Sequence, residues 1–408
     1  MTAGAKAGNF GGTNMANQVS VRGAGGPAPW SRAARQVFRR ILEGSGETLD
    51  RRQLQAQTGL AWATVCQAMD HIEGLGLIRP AGHGPSKGGR PPLGYELDPE
   101  RRTLLGLDYE LSRLTLRAVT LTGETRFERR VPLDATEPFA AVRSKLVGLL
   151  DAWIAAEGWK GPSGSSRGPL ALGIGVPVLR FMEEKGRRIV YSTIQAFESG
   201  LLLDELHAKL KLPVYMGSNI HALALAEGWF GAARGCGSFV YLSFRTGVAM
   251  AMVVNGRVQA GAHHLAGELG HWRLPGEDGT LQSRTGAAAL VASAELAGWR
   301  APGGSTEKLP ALLAAAAAGD PATAAGLREA AVLAGRTAAQ VALLLDPERL
   351  VIGGTLALAA PAVDVPLRAA YAEHGLPTHT EQVELVYGEL PDGGALGAAT
   401  LGLMGLMG

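Results

Sequence analysis

The feature of this sequence that most restricts its fold is the order of helix and turn signals before residue 97. After Ser31 the apolar residues recur at spacings of three and four, which predicts an amphipathic helix. Asp50 is a good N-cap for a second, short helix, and Gly59 is a good residue to end it. A third helix is predicted from Trp62 onward, so only a tight turn joins the second helix to the third.

Two short strands are expected after these helices. They are Leu77–Ile78 and Leu93–Leu97, and the basic Gly/Pro loop AGHGPSKGGRPP lies between them. Helices, tight turn and basic loop in this order predict a winged helix-turn-helix DNA-binding domain, which we assign to residues 29–100. An ordinary three-helix bundle with a hairpin is the alternative, because amphipathic spacing shows only that a core exists.

The third helix carries the residues that are expected to read a DNA sequence. In the winged helix-turn-helix interpretation, Trp62, Ala63 and Gln67 face the major groove. There a glutamine can hydrogen-bond adenine, and an apolar side chain can contact the methyl group of thymine. Double-stranded DNA is therefore the expected partner of this part of the chain.

Basic residues elsewhere in the segment are expected to hold the DNA backbone. Arg51, Arg52 and Lys87 are predicted to contact phosphates, which position a protein without reading sequence. Arg90 precedes two prolines that favour extended backbone, so it suits a narrow minor groove; a solvated charged loop is the alternative. The first 105 residues hold 13 Lys and Arg against 8 Asp and Glu, whereas the rest hold 26 against 29. This asymmetry favours nucleic acid as the partner of the front part only.

Length and composition exclude several other kinds of protein. With 408 residues, 46% hydrophobic and 19% charged, the chain is expected to form at least two globular domains. It lacks an apolar run typical of a membrane helix or a secretory signal, so a cytoplasmic protein without a membrane partner is expected. Cys66 and Cys236 are too few for a disulfide framework or a cysteine-built zinc site. Residues 1–28 are rich in Gly, Ala, Ser and Asn, which predicts a flexible tail.

Strands and helices are predicted to alternate over residues 101–408, which is typical of an α/β body. The alanine-rich segment 309–326 is predicted to be helical. The main predicted strands are 104–109, 114–121, 127–131, 170–178, 214–216, 239–244 and 248–254, and the main predicted helices are 140–158, 200–210 and 222–231.

Several short motifs resemble the ROK family of sugar repressors and sugar kinases. They are Gly89-Arg90-Pro91, Gly173–Pro177, Gly267-Glu268-Leu269-Gly270-His271 and Gly393–Thr400. The repressor branch of the family fits best, and the Gly-Glu-Leu-Gly-His segment is the most specific match. The resemblance implies a two-lobed, actin/hexokinase-like ATPase-type fold with a sugar cleft between the lobes, assembled as a homodimer or a dimer of dimers.

The glycine-rich loops that hold phosphate in the kinases of this family are altered here. Asp108-Tyr109-Glu110-Leu111 replaces the family's Asp-Gly-Gly-Thr, and the second loop, Arg245–Ala251, lacks three glycines of its family counterpart. Backbone N–H groups can cradle phosphate only where no side chain blocks their approach, so no nucleotide cofactor is expected. Gly353 and Gly354 match later glycines that lie beside adenosine in the family, or they form a tight turn.

The catalytic base of the family's kinases is also missing. Its Asn-Asp pair aligns with Ser218 and Asn219, and an amide cannot accept a proton from a sugar hydroxyl near pH 7. A shifted alignment places Ile220 at the base, and His221 is expected to cap a helix instead. We therefore predict no catalytic residue, no cofactor and no enzymatic activity.

The sugar site implied by the resemblance is reduced. The family binds zinc through the histidine of Gly-His and three following cysteines, but Trp272–Leu290 holds no cysteine, so no metal is expected. A second sugar-binding glutamate of the family falls at about Ala289. Asn219, Glu268 and His271 remain as the candidate ligand-binding residues, because carboxylates and amides can hydrogen-bond sugar hydroxyls.

These features predict a transcriptional regulator of sugar-related genes, with an inactive body that senses a sugar or sugar-like metabolite. In the site itself, the alternative is that Glu268 forms a structural ion pair with Arg245 or Arg273. For the whole chain, one alternative is an active ATP-dependent sugar kinase fused to a DNA-binding domain. The other is a regulator that a protein partner controls without small-molecule sensing.

Overall fold

In a computed structural model of the protein, no helix among the described residues is long and apolar enough to cross a membrane. The described residues are 20–22, 30–44, 47–83, 92–110, 112–134, 136–161, 168–184, 187–192, 197–262, 264–273, 275–276 and 278–407.

The first elements of the chain follow the predicted order of helices, turn and strands. Their bounds are β1 Ser20–Arg22, α1 Arg32–Glu43, β2 Leu49–Asp50, α2 Arg51–Thr58, α3 Trp62–Gly74, β3 Ile78–His83 and β4 Leu93–Leu97. We refer to α1–α3 and β2–β4 as the N-terminal module. Its strands lie in the order β2-β4-β3.

Local capping determines where the helices of the module begin and end. The Asp50 carboxylate accepts hydrogen bonds from the backbone N–H groups of Arg52 and Gln53, at 2.7 and 2.8 Å, and so begins α2. Gly59, at φ 68°, ends the helix in the left-handed conformation that favours glycine. The predicted start, stop and turn are therefore confirmed.

The first lobe is built on a sheet in the order β1-β12-β8-β5-β6-β7, in which β5, β8 and β12 are parallel. Its further elements are β5 Thr103–Glu110, β6 Arg113–Thr120, β7 Thr125–Pro132, α4 Phe139–Glu157, β8 Pro169–Val176, β9 Val178–Glu184, β10 Arg187–Ser192, β11 Phe197–Glu198, α5 Ser199–Leu210 and β12 Val214–Ser218.

Two features of this lobe differ from the sequence analysis. Residues 20–22, which were expected to belong to a flexible tail, pair antiparallel with β12; the rest of 1–28 lies outside the described residues. The separate small sheet β9-β10-β11 was not predicted. The first depends on pairing between segments almost 200 residues apart, which a short run of residues does not indicate, and the second consists of three short neighbouring strands whose pattern the sequence analysis did not recognise.

The second lobe is built on a sheet in the order β15-β14-β13-β16-β17. Its elements, with the last helix of the chain, are α6 Asn219–Phe230, β13 Phe239–Phe244, β14 Val248–Val254, β15 Arg257–Val258, α7 Leu281–Thr285, α8 Ala287–Leu296, α9 Ser305–Ala317, α10 Pro321–Leu345, β16 Arg349–Gly354, α11 Thr355–Leu358, α12 Ala360–His374, α13 Pro377–Gln382, β17 Glu384–Tyr387 and α14 Gly394–Met407. The predicted α/β organisation is thereby confirmed.

The alanine-rich segment is helical, as predicted, but it is interrupted. Gly319 adopts φ 85°, and the Asp320 carboxylate caps the next helix by accepting the backbone N–H of Thr323 at 3.0 Å. Pro321 suits the first turn of α10 because it needs no N–H partner there. A turn therefore separates α9 from α10.

Helix α14 lies unusually close to the sheet of the first lobe. A β-carbon on Gly106 would lie 1.8 Å from the Ala395 carbonyl oxygen, and one on Gly173 would lie 1.7 Å from the Ala398 carbonyl oxygen. No side chain larger than hydrogen fits at either position. The two strand glycines therefore set the distance between α14 and the sheet.

The same helix also contacts α6 and the N-terminal module. A β-carbon on Gly397 would lie 1.8 Å from the Ala222 carbonyl oxygen, so α6 and α14 cross closely. At the other end of α14, the Met407 carbonyl accepts the backbone N–H of Trp30 at 2.9 Å. One apolar cluster runs from the module across α6 and α14, so the module and the body share part of their core.

Replacing Gly173 by alanine is expected to destabilise the protein, because the added methyl group overlaps the Ala398 carbonyl. Overpacking of this kind costs about 1–3 kcal/mol or more and would lower the melting temperature measured by circular dichroism. Gly148→Ala is the matched control, since nothing lies within 4 Å of a β-carbon there and alanine favours the helix. Equal melting temperatures for Gly173→Ala and the wild type would show that α14 moves away without cost.

Candidate functional site

The outer surface of α3 presents the three residues that were predicted to read DNA. Trp62, Ala63 and Gln67 are exposed, and Trp62 keeps 46% of its surface accessible. Val65 and Met69 lie on the opposite side of the helix, in the core of the module. The side of α3 that carries these three residues combines polar and apolar groups and is accessible to a partner.

The structure gives Arg51 and Arg52 different surroundings. The Arg51 guanidinium donates a hydrogen bond to Asp70 at 2.7 Å and lies 5.6 Å from the centre of the Tyr95 ring. Burial lowers the pKa of Arg51, but hydrogen bonds with Cys66, Tyr95 and Asp70 outweigh it and raise the pKa above its ordinary value. Arg52 is exposed on α2. Of the two, Arg52 is thus the freer to contact a phosphate.

Lys87 and Arg90 cannot be placed, because they lie outside the described residues. The described chain stops at His83 and resumes at Pro92. The flanking strands β3 and β4 pair antiparallel, with Ile78 opposite Leu97. The segment that carries both basic residues therefore lies, in the sequence, between two antiparallel strands.

The sugar cleft that the family resemblance implies corresponds, on the first lobe, to the place where the parallel strands end. Asp108 and Gly175 are register partners near the ends of β5 and β8, and Asn219 follows β12 directly. A β-carbon on Gly175 would lie 3.5 Å from the Asn219 Cα and 3.6 Å from an Asp108 carboxylate oxygen. The carboxyl ends of parallel strands are the usual place for ligands in α/β folds, and Asn219 lies at this end of the sheet.

Asp108 is a buried carboxyl group at the floor of this cleft. Only 4% of its surface is accessible, and within the described chain its Oδ1 atom has no hydrogen-bond partner. Burial, and next the carboxylate of Glu110, raise its pKa to about 7, although Arg245 opposes them. The side chain therefore keeps its proton up to about neutral pH.

Charged side chains join the two lobes across the cleft. Glu110, from the first lobe, forms ion pairs with Arg113, at 2.6 Å, and with Arg245, from the turn between β13 and β14. Arg113 also binds Asp392 at 3.0 Å. Burial lowers the pKa of Arg245, but the nearby carboxyl groups of Glu110 and Asp108 raise it by more than burial lowers it. The pKa therefore lies above its ordinary value, and the guanidinium keeps its charge. The side chains that replace both phosphate-loop glycines are thus bound to one another.

The second lobe holds Glu268 and His271 beside β14. Gly267, at φ 94°, and Gly270 let this turn approach the strand, since β-carbons there would lie 2.0 and 2.4 Å from the carbonyl oxygens of Met250 and Val248. Glu268 is half-buried and His271 is exposed. The glycines of the motif therefore support the turn that positions the two candidate ligand-binding side chains.

The proposed ion pair of Glu268 with Arg245 or Arg273 is not formed, which corrects that alternative. Arg245 is bound to Glu110 instead, and Arg273 is exposed. Burial raises the pKa of Glu268, although the nearby His271 lowers it. Within the described residues no ion pair involves the Glu268 carboxylate, so it is available to a ligand hydroxyl.

Sequence reasoning did not identify Asp108, Glu110 or Arg245 as a charged group of the cleft. It found only that other residues replace glycines at the two loops; the opposite charges of Glu110 and Arg245 were the available signal. His221 was expected to cap a helix, but it lies buried within α6, and burial, followed by His264, lowers its pKa to about 4. It is therefore a neutral, internal histidine near pH 7.

Gly353 and Gly354 have a packing role at the end of β16. A β-carbon on Gly353 would lie 2.1 Å from the Tyr241 hydroxyl, and one on Gly354 would lie 2.4 Å from the Phe244 carbonyl oxygen. Gly354 also adopts φ 74°. Of the two interpretations, these contacts favour the tight turn.

In the chain as described, no three His, Cys, Asp or Glu side chains lie together as a metal site.

Comparison with known proteins gives sequence relatives and a shared fold. The xylose repressor of Caldicellulosiruptor bescii is 27% identical over 242 residues, which are 59% of this chain and 58% of the repressor. The chain therefore spans less than two thirds of that relative's length in the alignment.

Solved structures extend the likeness to most of the chain. A ROK family transcriptional regulator, a homologue of the E. coli MLC protein, has a TM-score of 0.70 at 22% identity, over 92% of this chain and 96% of that chain. The ROK hexokinase of Thermus thermophilus has a TM-score of 0.58 at 25% identity, over 74% of this chain and 98% of that chain. The expected two-lobed, hexokinase-like fold is thereby confirmed. Residues 161–404 match the ROK family, and this chain belongs to that family.

Proposed function

We propose that this protein is a DNA-binding transcriptional regulator whose ROK body senses a sugar or sugar-like metabolite. The observation that carries the proposal is the exposed surface of α3, with Trp62, Ala63 and Gln67, on a module that precedes a sugar-kinase-like body. The module corresponds to residues 29–100 and the body to residues 101–408. The name of the xylose repressor relative supports both a role on DNA and a sugar effector.

The ligand site of the proposal is the cleft between the lobes. Asn219 begins α6 directly after β12, and Glu268 and His271 lie in the turn beside β14; we assign these three residues to the ligand site. An unpaired, half-buried carboxylate beside an exposed imidazole can accept and donate hydrogen bonds to neighbouring hydroxyls. This chemistry suits a polyol better than an apolar ligand.

The body is proposed to bind without phosphorylating. The Glu110–Arg245 ion pair occupies the two loops that would cradle phosphate, and a nucleotide would have to displace it. Asn219 stands where a base would be required, and its amide cannot take a proton. The side chain of Asp108, on β5, packs directly against the start of α14 and is already buried there. A β-carbon on Gly394 would lie 2.0 Å from its Oδ2 atom.

An active sugar kinase with a fused DNA-binding domain is the second candidate, because the hexokinase of Thermus thermophilus shares most of this fold. The proposal favours the regulator, since the ion pair and the missing base both oppose phosphoryl transfer. Control by a protein partner remains the third possibility, and it predicts no response to any sugar.

The first test concerns DNA. The protein, acting as a dimer, is expected to select a two-fold symmetric site from random DNA and to bind it more weakly as salt rises. Gln67→Ala should reduce the preference for that site about tenfold, because a base contact contributes about 1–3 kcal/mol. Arg52→Ala should weaken all sequences alike. Fluorescence anisotropy measures both effects, and exposed Gln382→Ala is the control. Failure to bind any DNA at low salt would refute the proposal.

The second test concerns catalysis. Incubation with ATP and a panel of hexoses and pentoses is expected to give no phosphosugar above background, because base and phosphate loops are replaced. Mass spectrometry of the products detects turnover directly. Turnover that disappears in Asn219→Ala would establish the kinase instead.

The third test concerns the cleft. A thermal-shift screen of sugars and phosphosugars should find a ligand that raises the melting temperature. Glu268→Ala and His271→Ala should each weaken its binding about 5- to 150-fold, which corresponds to about 1–3 kcal/mol per hydrogen-bonding group. Calorimetry gives the affinities, and exposed Glu381→Ala is the control. Unchanged affinity in both cleft variants would remove these residues from the site.

A further inference from the structure

A cavity of about 290 Å³ lies where the N-terminal module meets the body. None of the cleft residues Asn219, Glu268 and His271 lines it, so it is a separate site. Its volume is close to the lower end of the ~300–1,000 Å³ range for ligand pockets, which limits an occupant to about one ring or a short branched chain. It is walled by α1 of the module, by the end of α6, and by the β13–β14 hairpin of the second lobe.

The inner wall of the cavity is apolar and partly aromatic. Leu42 comes from the module, Leu121 from the first lobe, and Trp229, Phe239 and Val253 from the body beyond it. Trp229 and Phe239 belong to, or pack on, the core shared by module and body. A flat apolar group would bury its surface against these side chains and displace poorly bound water.

Two arginines lie at the edge of the cavity. The Arg39 guanidinium donates to the Gly256 carbonyl at 3.4 Å, and Arg234 is exposed. In the described part of the chain, no carboxylate lies within ion-pair distance of either guanidinium. Glu43 also lines the cavity, one helical turn from Arg39, but no ion pair joins the two. Both cations are therefore available to a bound anion.

The surroundings of this edge are positively charged. Burial, and then the charges of Arg257, Arg32 and Arg39, lower the pKa of Arg35, which lies on α1. Arg32, Arg35, Arg39 and Arg257 thus lie within electrostatic range of one another, and they outnumber Glu43, the acidic residue among the described lining residues. A positive field at the mouth of an apolar site attracts anions and disfavours cations.

We propose that this cavity is a second effector site, which binds a small organic monocarboxylate with an apolar ring or short branched body. The apolar part lies against Trp229 and Leu42, and the carboxylate lies between Arg39 and Arg234. A neutral molecule of the same shape would leave both guanidinium groups without a counter-ion. The site thereby selects for charge as well as for size.

The position of the cavity gives such a ligand a route to regulation, and this part rests on the proposed function. Arg39 and Leu42 belong to the module, whereas Trp229 and Arg234 belong to the body, so one ligand contacts both. Helix α6 also begins at Asn219 in the cleft and ends beside the cavity. Occupancy of the cavity would stabilise one arrangement of module and body, and thus change the affinity for DNA.

Binding is tested on the full chain without DNA, by fluorine NMR with 4-fluorobenzoate and 4-fluorophenylacetate, each beside its neutral amide. At least one of the two carboxylates is expected to bind saturably. Its amide is expected to bind more weakly, by about tenfold or more. Arg234→Gln should weaken the carboxylate about tenfold without affecting folding, because Arg234 is exposed. Arg328→Gln makes the same charge change at an exposed position of α10 and should have no effect.

A second variant, Cys236→Trp, tests the location by filling the cavity from the loop after α6. It should abolish carboxylate binding while the circular dichroism spectrum is kept. Absence of saturable binding by both carboxylates, equal binding of the amides, or unchanged binding in both cavity variants would overturn the site. Since this assay contains no DNA, its failure is distinct from failure of the DNA-binding proposal. Carboxylate binding with unchanged DNA affinity would overturn only the regulatory part.

Discussion

The close contact of α14 with the first-lobe sheet is the constraint on which the rest of the structure depends. Gly106 and Gly173 let the Ala395 and Ala398 carbonyls approach the strands where any side chain would collide. At this distance α14 fills the space beneath the cleft, and its buried face is almost entirely small residues and leucine. The helix then determines where α6 can cross it, and so where Asn219 lies.

The electrostatics of the cleft follow from that packing. Helix α14 begins at Gly394 against the Asp108 carboxyl group, which is thereby removed from water. A buried carboxylate is costly, and protonation up to about neutral pH reduces that cost. Glu110, two residues further along β5, instead forms ion pairs with Arg113 and Arg245. The two acidic side chains of one strand therefore have different surroundings.

Two helices connect the cleft with the N-terminal module. Helix α14 begins beside Asp108, and its Met407 carbonyl binds the Trp30 N–H; α6 begins at Asn219 and ends beside α1. Both helices are largely buried, so each provides a packed connection between the cleft and the module. The proposed regulation requires such a connection between a ligand site and a DNA-binding module.

The sequence by itself determined the local features and the family. Capping by Asp50, the stop at Gly59 and the exposed side of α3 follow from interactions within a few residues, so periodicity and cap chemistry suffice to predict them. Only the tertiary structure decided that Glu110 binds Arg245, and that Glu268 does not. It also decided that Arg39 meets Gly256, 217 positions away, at a cavity between module and body. These contacts depend on how α14 brings distant segments together. A pattern of neighbouring residues in the sequence does not show which distant segments meet.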